Sequence, residues 1–208
     1  GGLDQYPVSV LARLVRGMEG TCPETPKPGS AQLARSAATV VGTRFDAMRG
    51  ARDQARALGY HVLVVNDAEV GEARAAGATY VERALARAHS LPRPLCLISS
   101  GETTVRVTGS GRGGRNQELA LAAVDALLSV PVASLASVGT DGVDGPTDAA
   151  GAIADSTTLN RARAAGLRSP QDYLDANDSY TFFAAIGDLI RTGPTGTNVG
   201  DLQVLLAL

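Results

Sequence analysis

Apolar residues recur along the chain at two spacings, one typical of amphipathic helices and one typical of short buried strands. The helical spacing predicts helices over residues 37–58, 69–88 and 117–128. Short runs rich in Val, Ile and Leu predict strands over residues 61–66, 95–99, 105–107 and 132–138. Because helices and strands alternate, we expect an α/β fold, a three-layer sandwich with a mainly parallel sheet.

The last part of the chain is predicted to hold shorter elements. Ser156 and the Ser169–Pro170 pair are residue types that begin helices, and a third short helix is predicted over residues 178–186. Two apolar runs, 189–190 and 202–208, predict a final pair of strands. Whether this pair runs antiparallel at one edge of the sheet stays open.

Length and composition place the chain among globular domains. Its 208 residues are 44% hydrophobic, enough to bury a sizeable core. The Pro-rich stretch 21–30 is typical of a linker, so we predict that residues 1–33 are a linker or the remnant of a preceding domain. Residues 34–208 are then one α/β domain. Because the chain begins with Gly rather than Met, we expect a fragment or a processed piece.

Several classes of protein are excluded by composition. The chain has no run of about 18 apolar residues and no signal peptide, so we predict no membrane span and a cytoplasmic location. A net charge of −2 and the lack of basic runs interleaved with aromatics argue against nucleic acid and favour a small-molecule partner. The two cysteines, Cys22 and Cys96, and the two histidines, His61 and His89, fit neither a paired-cysteine zinc site nor a hydrolase triad.

The stretch richest in chemical signals is residues 109–118, GSGRGGRNQE, here called the Gly-Arg loop. Glycines expose backbone N–H groups, the following helix turns its positive end toward the loop, and guanidinium groups bind phosphate oxygens in pairs. We predict an anion site, with Arg115 beside the predicted helix cap Asn116 as its main cation and Arg112 as a weaker candidate. A turn where two elements simply pack closely is the alternative.

Known phosphate motifs match this loop only in part. It lacks the Lys of a P-loop, and Gly109, Gly111 and Gly114 match a dinucleotide fingerprint without the acidic residue expected about 20 residues later.

Two more polar loops follow. The acidic loop, residues 139–151, comes after a predicted strand, where open α/β sheets bind ligands, and holds Asp141, Asp144 and Asp148. Its spacing differs from that of a calcium-binding EF-hand and favours Mg²⁺ or sugar-like hydroxyls, with local Asx turns as the alternative. The threonine loop, residues 192–198, offers hydroxyl and N–H groups to a substrate or simply turns a hairpin.

Five segments in this order resemble the C-terminal MOFRL domain of the glycerate 2-kinases. They are SSGETTV at 99–105, RNQE at 115–118, the acidic loop, NDSY at 177–180, and the threonine loop. The resemblance extends upstream through residues 24–29 and covers nearly the whole chain. Two places depart from the family pattern: Ser100 stands where the family usually has a second glycine, and Thr43–Arg44 stand where it often has Ser-Asn.

The resemblance implies an ATP-dependent glycerate 2-kinase, which transfers the ATP γ-phosphate to the 2-hydroxyl of glycerate with ATP and Mg²⁺. Members of the family have two domains and are also named hydroxypyruvate reductases or TtuD-like proteins. Their N-terminal domain supplies an essential lysine; we expect it to be absent here and this chain alone to be inactive. An NAD(P)-dependent hydroxypyruvate reductase and a stand-alone ligand-binding module are the alternatives. The exact hydroxy acid and a homo-oligomer stay open.

The resemblance also directs attention to particular side chains. Arg115 would bind the transferring phosphate or the glycerate carboxylate, and Asp141 would hold Mg²⁺ or a substrate hydroxyl. The other predicted contacts to substrate or nucleotide are Gly101, Glu102, Thr103, Gly111, Arg112, Gly113, Gly114, Asn116, Thr140, Asp144, Thr195, Gly196, Thr197 and Asn198.

Overall fold

The computed structural model describes residues 7–208, and in this part of the chain it divides into two compact units. The first unit ends at Val41, whereas the sequence placed the boundary after residue 33. It contains helix α1 (Val8–Met18), and the predicted linker stretch 21–30 has neither helix nor strand. Residues 1–6 of the predicted linker lie outside the described residues. No helix of residues 7–208 is long and apolar enough to cross a membrane.

The second unit, Gly42–Leu208, holds seven strands and seven helices. In chain order they are α2 (Arg44–Ala57), β1 (His61–Val64), β2 (Glu69–Glu72), α3 (Ala73–Arg87), β3 (Leu95–Thr104), α4 (Arg115–Ala122), α5 (Val124–Leu127), β4 (Ala133–Gly139), β5 (Gly151–Asp155), α6 (Thr158–Ala164), α7 (Pro170–Asp175), α8 (Ser179–Ile186), β6 (Leu189–Ile190) and β7 (Asp201–Ala207).

All seven strands form one sheet in the order β1-β3-β7-β4-β5-β6, with β2 also paired to β3. Five strands point the same way, and β5 and β7 point the opposite way. The predicted α/β class is confirmed. The sheet differs from the expectation in its pairs, since two are parallel and four antiparallel. The reason is that β7 inserts between β3 and β4, which would otherwise be parallel neighbours.

The final two strands also take places that the pattern did not indicate. They are not neighbours: β6 forms the edge of the sheet, antiparallel to β5, while β7 lies in its middle. The open question of an antiparallel edge is therefore answered by β5 and β6, and β5 follows the acidic loop at residues for which the sequence predicted no strand.

Helices cover both faces of the sheet, so the predicted three layers are confirmed. On one face α2 packs Met48 and Ala55 against Cys96 and Ile98 of β3. On the other face the helices α3 to α8 pack against alternate residues of the same strands, such as Leu97, in the larger core. Cys96 is buried, as expected, and burial raises the pKa of its thiol to about 11.

Local capping explains where several helices begin. Helix α2 starts at Arg44 rather than at residue 37, because Thr43 and Asp46 form a capping box. Ser169 caps α7 in the same way, as predicted. The predicted cap Ser156 is wrong: its hydroxyl donates to the Pro131 carbonyl, and α6 begins two residues later.

Three predicted elements change type or length. The predicted helix 69–88 begins as strand β2, which pairs with the end of β3. Strand β3 continues through Thr104 and then ends, so residues 105–107 form no strand. The predicted helix 117–128 is divided at Ala123 into α4 and α5.

Candidate active site

The three polar loops meet at one edge of the sheet. Strands β3 and β4 end there and β7 begins there, since Asp201 stands opposite both Gly101 and Gly139 in the two ladders. The Gly-Arg loop, the acidic loop and the threonine loop all adjoin these strand ends. The sequence predicted ligand-binding loops, and the register shows why they are neighbours.

Arg115 lies at this edge, and its guanidinium group is held by a carboxylate of the chain. Its Nε donates to Asp201 Oδ2 at 2.6 Å and its Nη2 to Asp201 Oδ1 at 2.8 Å. Asp201 is 1% exposed, and its hydrogen bonds are the main reason that the pKa of Arg115 is raised. Arg115 Nη1 donates to no residue in the described part of the chain, and the side chain is 28% exposed.

Asp201 is a site residue that the sequence analysis missed. The only local signal is an acidic residue directly before the apolar run 202–208. Its role depends on the central position of β7, which the local pattern does not indicate.

Asp144 of the acidic loop binds the start of helix α4. Its Oδ1 accepts the backbone N–H of Asn116 at 3.1 Å, and its Oδ2 accepts that of Gln117 at 2.9 Å. The side chain is completely buried, and burial raises the pKa of its carboxyl above the usual value. Two of the N–H groups at this helix terminus are therefore satisfied inside the protein.

Asn116 has an internal role too. The prediction that it caps α4 is wrong, because the cap position is Gly114 and the helix begins at Arg115. The buried Asn116 side chain accepts a hydrogen bond from Ser137 at 2.7 Å and donates to Asp144 at 3.3 Å. Asn116 and Asp144 thus fix the acidic loop to the helix.

Three consecutive backbone N–H groups remain available in the Gly-Arg loop. Those of Gly113, Gly114 and Arg115 donate to no residue between 7 and 208. All three residues line a cleft of about 480 Å³, together with Glu102 and Thr103 at the end of β3. A row of N–H groups beside a helix N-terminus and a guanidinium group is suited to bind an anion.

Glu102 lies between this cleft and a second one. Its side chain is 71% exposed and contributes to both clefts, the second having a volume of about 510 Å³. Thr43, Arg44 and Phe45 line the second cleft. The two departures from the family pattern contact each other here, since Arg44 Nη1 donates to the Ser100 hydroxyl at 3.0 Å.

Arg112 lies on the outer rim. Its guanidinium carbon is 4.6 Å from the centre of the Tyr180 ring, and its side chain is exposed. The Tyr180 hydroxyl donates to Asp148 of the acidic loop at 2.7 Å, and Arg191 donates to the same carboxylate at 3.1 Å. Tyr180 and Arg191, which the sequence analysis did not select, thus join the rim of the site.

Asp141 and the threonine loop are connected through the backbone. The Asp141 side chain accepts the N–H of Val143 at 3.0 Å, which is the Asx turn that the sequence left open. The backbone carbonyl of Asp141 accepts the N–H of Thr195 at 3.1 Å. The Thr140 hydroxyl donates to the Gly200 carbonyl at 2.7 Å. The remaining predicted residues of this loop, Gly196, Thr197 and Asn198, are exposed.

The acidic side chains of the site do not form a metal cage. Within residues 7–208, no group of three or more His, Cys, Asp or Glu side chains is placed to hold a metal ion. A Mg²⁺ ion that arrives with a nucleotide needs only one or two carboxylates in addition to phosphate oxygens. Asp141 can supply one such ligand, because its Oδ1 accepts the N–H of Val143 while its Oδ2 accepts no hydrogen bond from residues 7–208.

Comparisons with known proteins agree on one family. The sequence pattern of the MOFRL family matches residues 95–201. A D-glycerate 2-kinase of Thermotoga maritima is 42% identical over 97% of the chain and 47% of its own length. A protein of Agrobacterium vitis, provisionally named hydroxypyruvate reductase, is 41% identical over 99% of the chain and 46% of its own length.

A solved structure shows the same fold. The crystal structure of a glycerate kinase from Thermotoga maritima superposes with a TM-score of 0.77 at 37% identity, covering 95% of this chain and 50% of that one. The chain therefore spans about half the length of the relatives that it matches.

Proposed function

The chain belongs to the MOFRL family, and on that premise we propose that it is the C-terminal half of an ATP-dependent glycerate 2-kinase. The reaction transfers the ATP γ-phosphate to the 2-hydroxyl of glycerate. The active site is a cleft shared with an N-terminal domain carried by the rest of the protein. The name of the Thermotoga maritima relative supports this substrate.

The observation that carries the proposal is the cleft beside Arg115. Gly113, Gly114 and Arg115 line that cleft beside the start of α4, and their backbone N–H groups have no partner among residues 7–208. Catalysis of phosphoryl transfer mainly requires that the protein position the reactants and neutralise charge on the oxygens of the transferred phosphoryl group. Donors held at the start of α4 would supply both.

Asp201 makes Arg115 a positioned cation. The two hydrogen bonds to Asp201 fix the plane of the guanidinium group before any ligand binds, which lowers the entropy lost on binding. Nη1 and the backbone N–H of Arg115 are then free to donate to a phosphate oxygen or to the glycerate carboxylate.

Asp141, Glu102 and Thr103 complete the site in this proposal. Asp141 holds the substrate hydroxyl or one position of a Mg²⁺ ion, which would balance phosphate charge when bound with ATP. Glu102 and Thr103, together with residues 195–198, line the side of the cleft that faces the N-terminal domain.

A coupled assay on the complete two-domain enzyme tests the function. We expect glycerate to disappear only when ATP is present, and ³¹P NMR to identify 2-phosphoglycerate as the product. The 208-residue chain alone should show no turnover, because half of the site is supplied by the other domain. Formation of 3-phosphoglycerate, or no ATP consumption with glycerate, would reject the proposal.

A reductase is the second candidate, because of the name given to the Agrobacterium vitis relative. A dinucleotide fingerprint requires a strand directly before its glycines and a helix terminus open to pyrophosphate. Here residues 105–108 form no strand, and Asp144 already binds two N–H groups of α4. Oxidation of NADH by the complete enzyme with hydroxypyruvate would favour the reductase. Strong binding of glycerate or nucleotide to the 208-residue chain in calorimetry would instead favour a stand-alone binding module.

A further inference from the structure

We propose that Asn177 is a positioning residue for the phosphate-binding part of the site, holding the Gly-Arg loop in the conformation that presents its N–H groups to the cleft. The inference rests on the proposed function and deepens it. Asn177 lies in the turn between α7 and α8 and is absent from the residues that line the cleft.

The Asn177 side chain replaces the backbone partners that a strand would supply. Its Oδ1 accepts the N–H groups of Thr108 at 2.7 Å and Gly109 at 2.8 Å, and its Nδ2 donates to the Arg106 carbonyl at 3.1 Å. Residues 105–114, between β3 and α4, form neither helix nor strand. One buried amide therefore satisfies three backbone groups of an otherwise unpaired segment.

The same side chain connects this segment to the helix that carries Arg115. Asn177 Nδ2 also donates to Glu118 Oε2 at 3.2 Å, and Glu118 lies one turn after Arg115 on α4. The buried Glu118 carboxylate accepts a second hydrogen bond, from Arg74 Nε at 3.1 Å. Asn177 thus fixes the start of the loop relative to the helix at its end.

The neighbours of Asn177 hold the middle of the loop. The Ala176 carbonyl accepts the N–H of Gly111 at 2.9 Å, and Asp178 Oδ1 accepts that of Arg112 at 2.9 Å. A Cβ at Gly111 would overlap with Asp178, so the loop lies directly against the turn. Asn177 itself has a φ of 52°, in the left-handed region that Asn tolerates better than most residues.

Together these contacts set where the N–H groups of Gly113, Gly114 and Arg115 lie. A misplacement of about 1 Å at a reacting group can lower turnover by up to two orders of magnitude. Loss of the Asn177 side chain should therefore lower kcat while the fold is kept.

Hydrogen exchange on the 208-residue chain tests the contact itself, with no need for activity. Asn177→Gly permits the left-handed backbone but removes the side chain. We expect the Thr108 and Gly109 amides to exchange on the order of tenfold faster, as for one lost hydrogen bond each, while amides in the β3–β7 ladder keep their protection. Unchanged exchange at Thr108 and Gly109 would overturn the proposal.

Kinetics of the complete enzyme test the positioning role. Asn177→Asp keeps the acceptor for the two N–H groups but places a carboxylate against that of Glu118. We expect kcat to fall on the order of 30-fold. Adding Glu118→Gln lets an amide donate to the new carboxylate, and kcat should recover on the order of tenfold. No recovery in the double variant would contradict the connection through Glu118.

Ser169→Ala is the matched control, because it removes the capping box of α7 without touching the loop. We expect a lower Tm and an unchanged kcat. If Asn177→Asp also lowers Tm while keeping the wild-type kcat, the role is structural and the positioning proposal is wrong. If the wild-type enzyme does not phosphorylate glycerate, the proposed function fails, and the exchange experiment still decides whether Asn177 holds the loop.

Discussion

Arg115 and Asp201 form a pair that is complete before any ligand arrives. The two residues are 86 positions apart and meet because Asp201 stands opposite Gly101 and Gly139, at the edge of the sheet where the three polar loops meet. The glycine-rich loop made Arg115 a candidate from the sequence alone, and its role in the site stays a prediction. Its partner could not be predicted, because the pairing depends on which strands are neighbours in the sheet.

Replacement of Arg115 by lysine in the complete enzyme should lower kcat on the order of 100-fold, since a charge-stabilising contact contributes about 3 kcal/mol in the transition state. Lysine keeps the charge, but all of its donors sit on one nitrogen, so it cannot reproduce the planar two-nitrogen contact with Asp201 and present a third nitrogen to the substrate. Steady-state kinetics with ATP and glycerate measure the effect.

Arg112→Lys is the control for this prediction, because Arg112 lies on the rim against Tyr180. Its kcat should change much less. A well-folded Arg115→Lys enzyme with wild-type turnover would remove Arg115 from the site, and a large loss at Arg112 would assign the role to that residue.

At the scale of elements, prediction succeeded where the signal is local. The capping box at Ser169 and the apolar run at the start of β3 depend on residues that are adjacent in the sequence. Strand β2 was predicted as helix, because residues 69–72 continue into a sequence rich in Ala, Arg and Glu. Only its pairing with Gly101–Thr104 makes it a strand, and a pairing between distant segments is invisible to local periodicity.

The contact between α3 and α4 gives a prediction about stability. Gly77 of α3 lies against the backbone of α4, and a Cβ there would overlap with the Leu119 carbonyl oxygen. Gly77→Ala should therefore lower the free energy of unfolding by about 2 kcal/mol or more. Gly50→Ala in α2 has open space around it and should raise it by about 0.5–1 kcal/mol, because alanine favours helices. Urea denaturation of both variants measures the change in the free energy of unfolding. If Gly77→Ala and Gly50→Ala change it equally, the α3–α4 contact can adjust to the added methyl group.

The start of α6 gives a prediction about pH. Burial alone would raise the pKa of Asp155, but hydrogen bonds from Thr157 and the charge of Arg161 outweigh burial and lower it. A lowered pKa in the folded state means that the stabilising contribution is present above pH 3.8, the ordinary value, and is lost as the pH falls through the folded-state pKa.

Asp155→Asn should therefore destabilise the chain at pH 7 and flatten the loss of stability below pH 4. Unfolding by urea across this range provides the measurement. Ser156→Ala is the control and should leave the pH profile unchanged, because Ser156 does not titrate. If the free energy of unfolding falls equally below pH 4 in wild type and Asp155→Asn, Asp155 is not the source of the acid sensitivity.

The α/β class of the chain and the presence of helices on both faces of the sheet were predictable from the alternating helical and strand periodicities. The order of strands was not. Five strands share one direction, as the alternation of helices and strands predicted, but β5 and β7 run the opposite way and make most of the pairs antiparallel. The apolar run 202–208 would fit an edge or a central strand equally well, and only its two partners decide.

The central position of β7 predicts that Leu205→Asp prevents folding of the second unit. Leu205 is buried in the larger core, and an unpaired carboxylate there has no partner to offset its desolvation. We expect loss of dispersed amide signals in NMR. Leu208→Asp, at an exposed position just after β7, is the control and should fold normally. A folded Leu205→Asp chain would show that the sheet tolerates disruption at its centre.

The insertion of β7 between β3 and β4 also has a consequence for how the protein is made. On the ribosome, β1 to β6 are synthesised before β7, and until it arrives the facing edges of β3 and β4 have no partner. Contacts between segments so distant in sequence form slowly, and unpaired strand edges promote aggregation while they wait. The nascent chain therefore exposes the unpaired edges of β3 and β4 until β7 has been made and pairs with both.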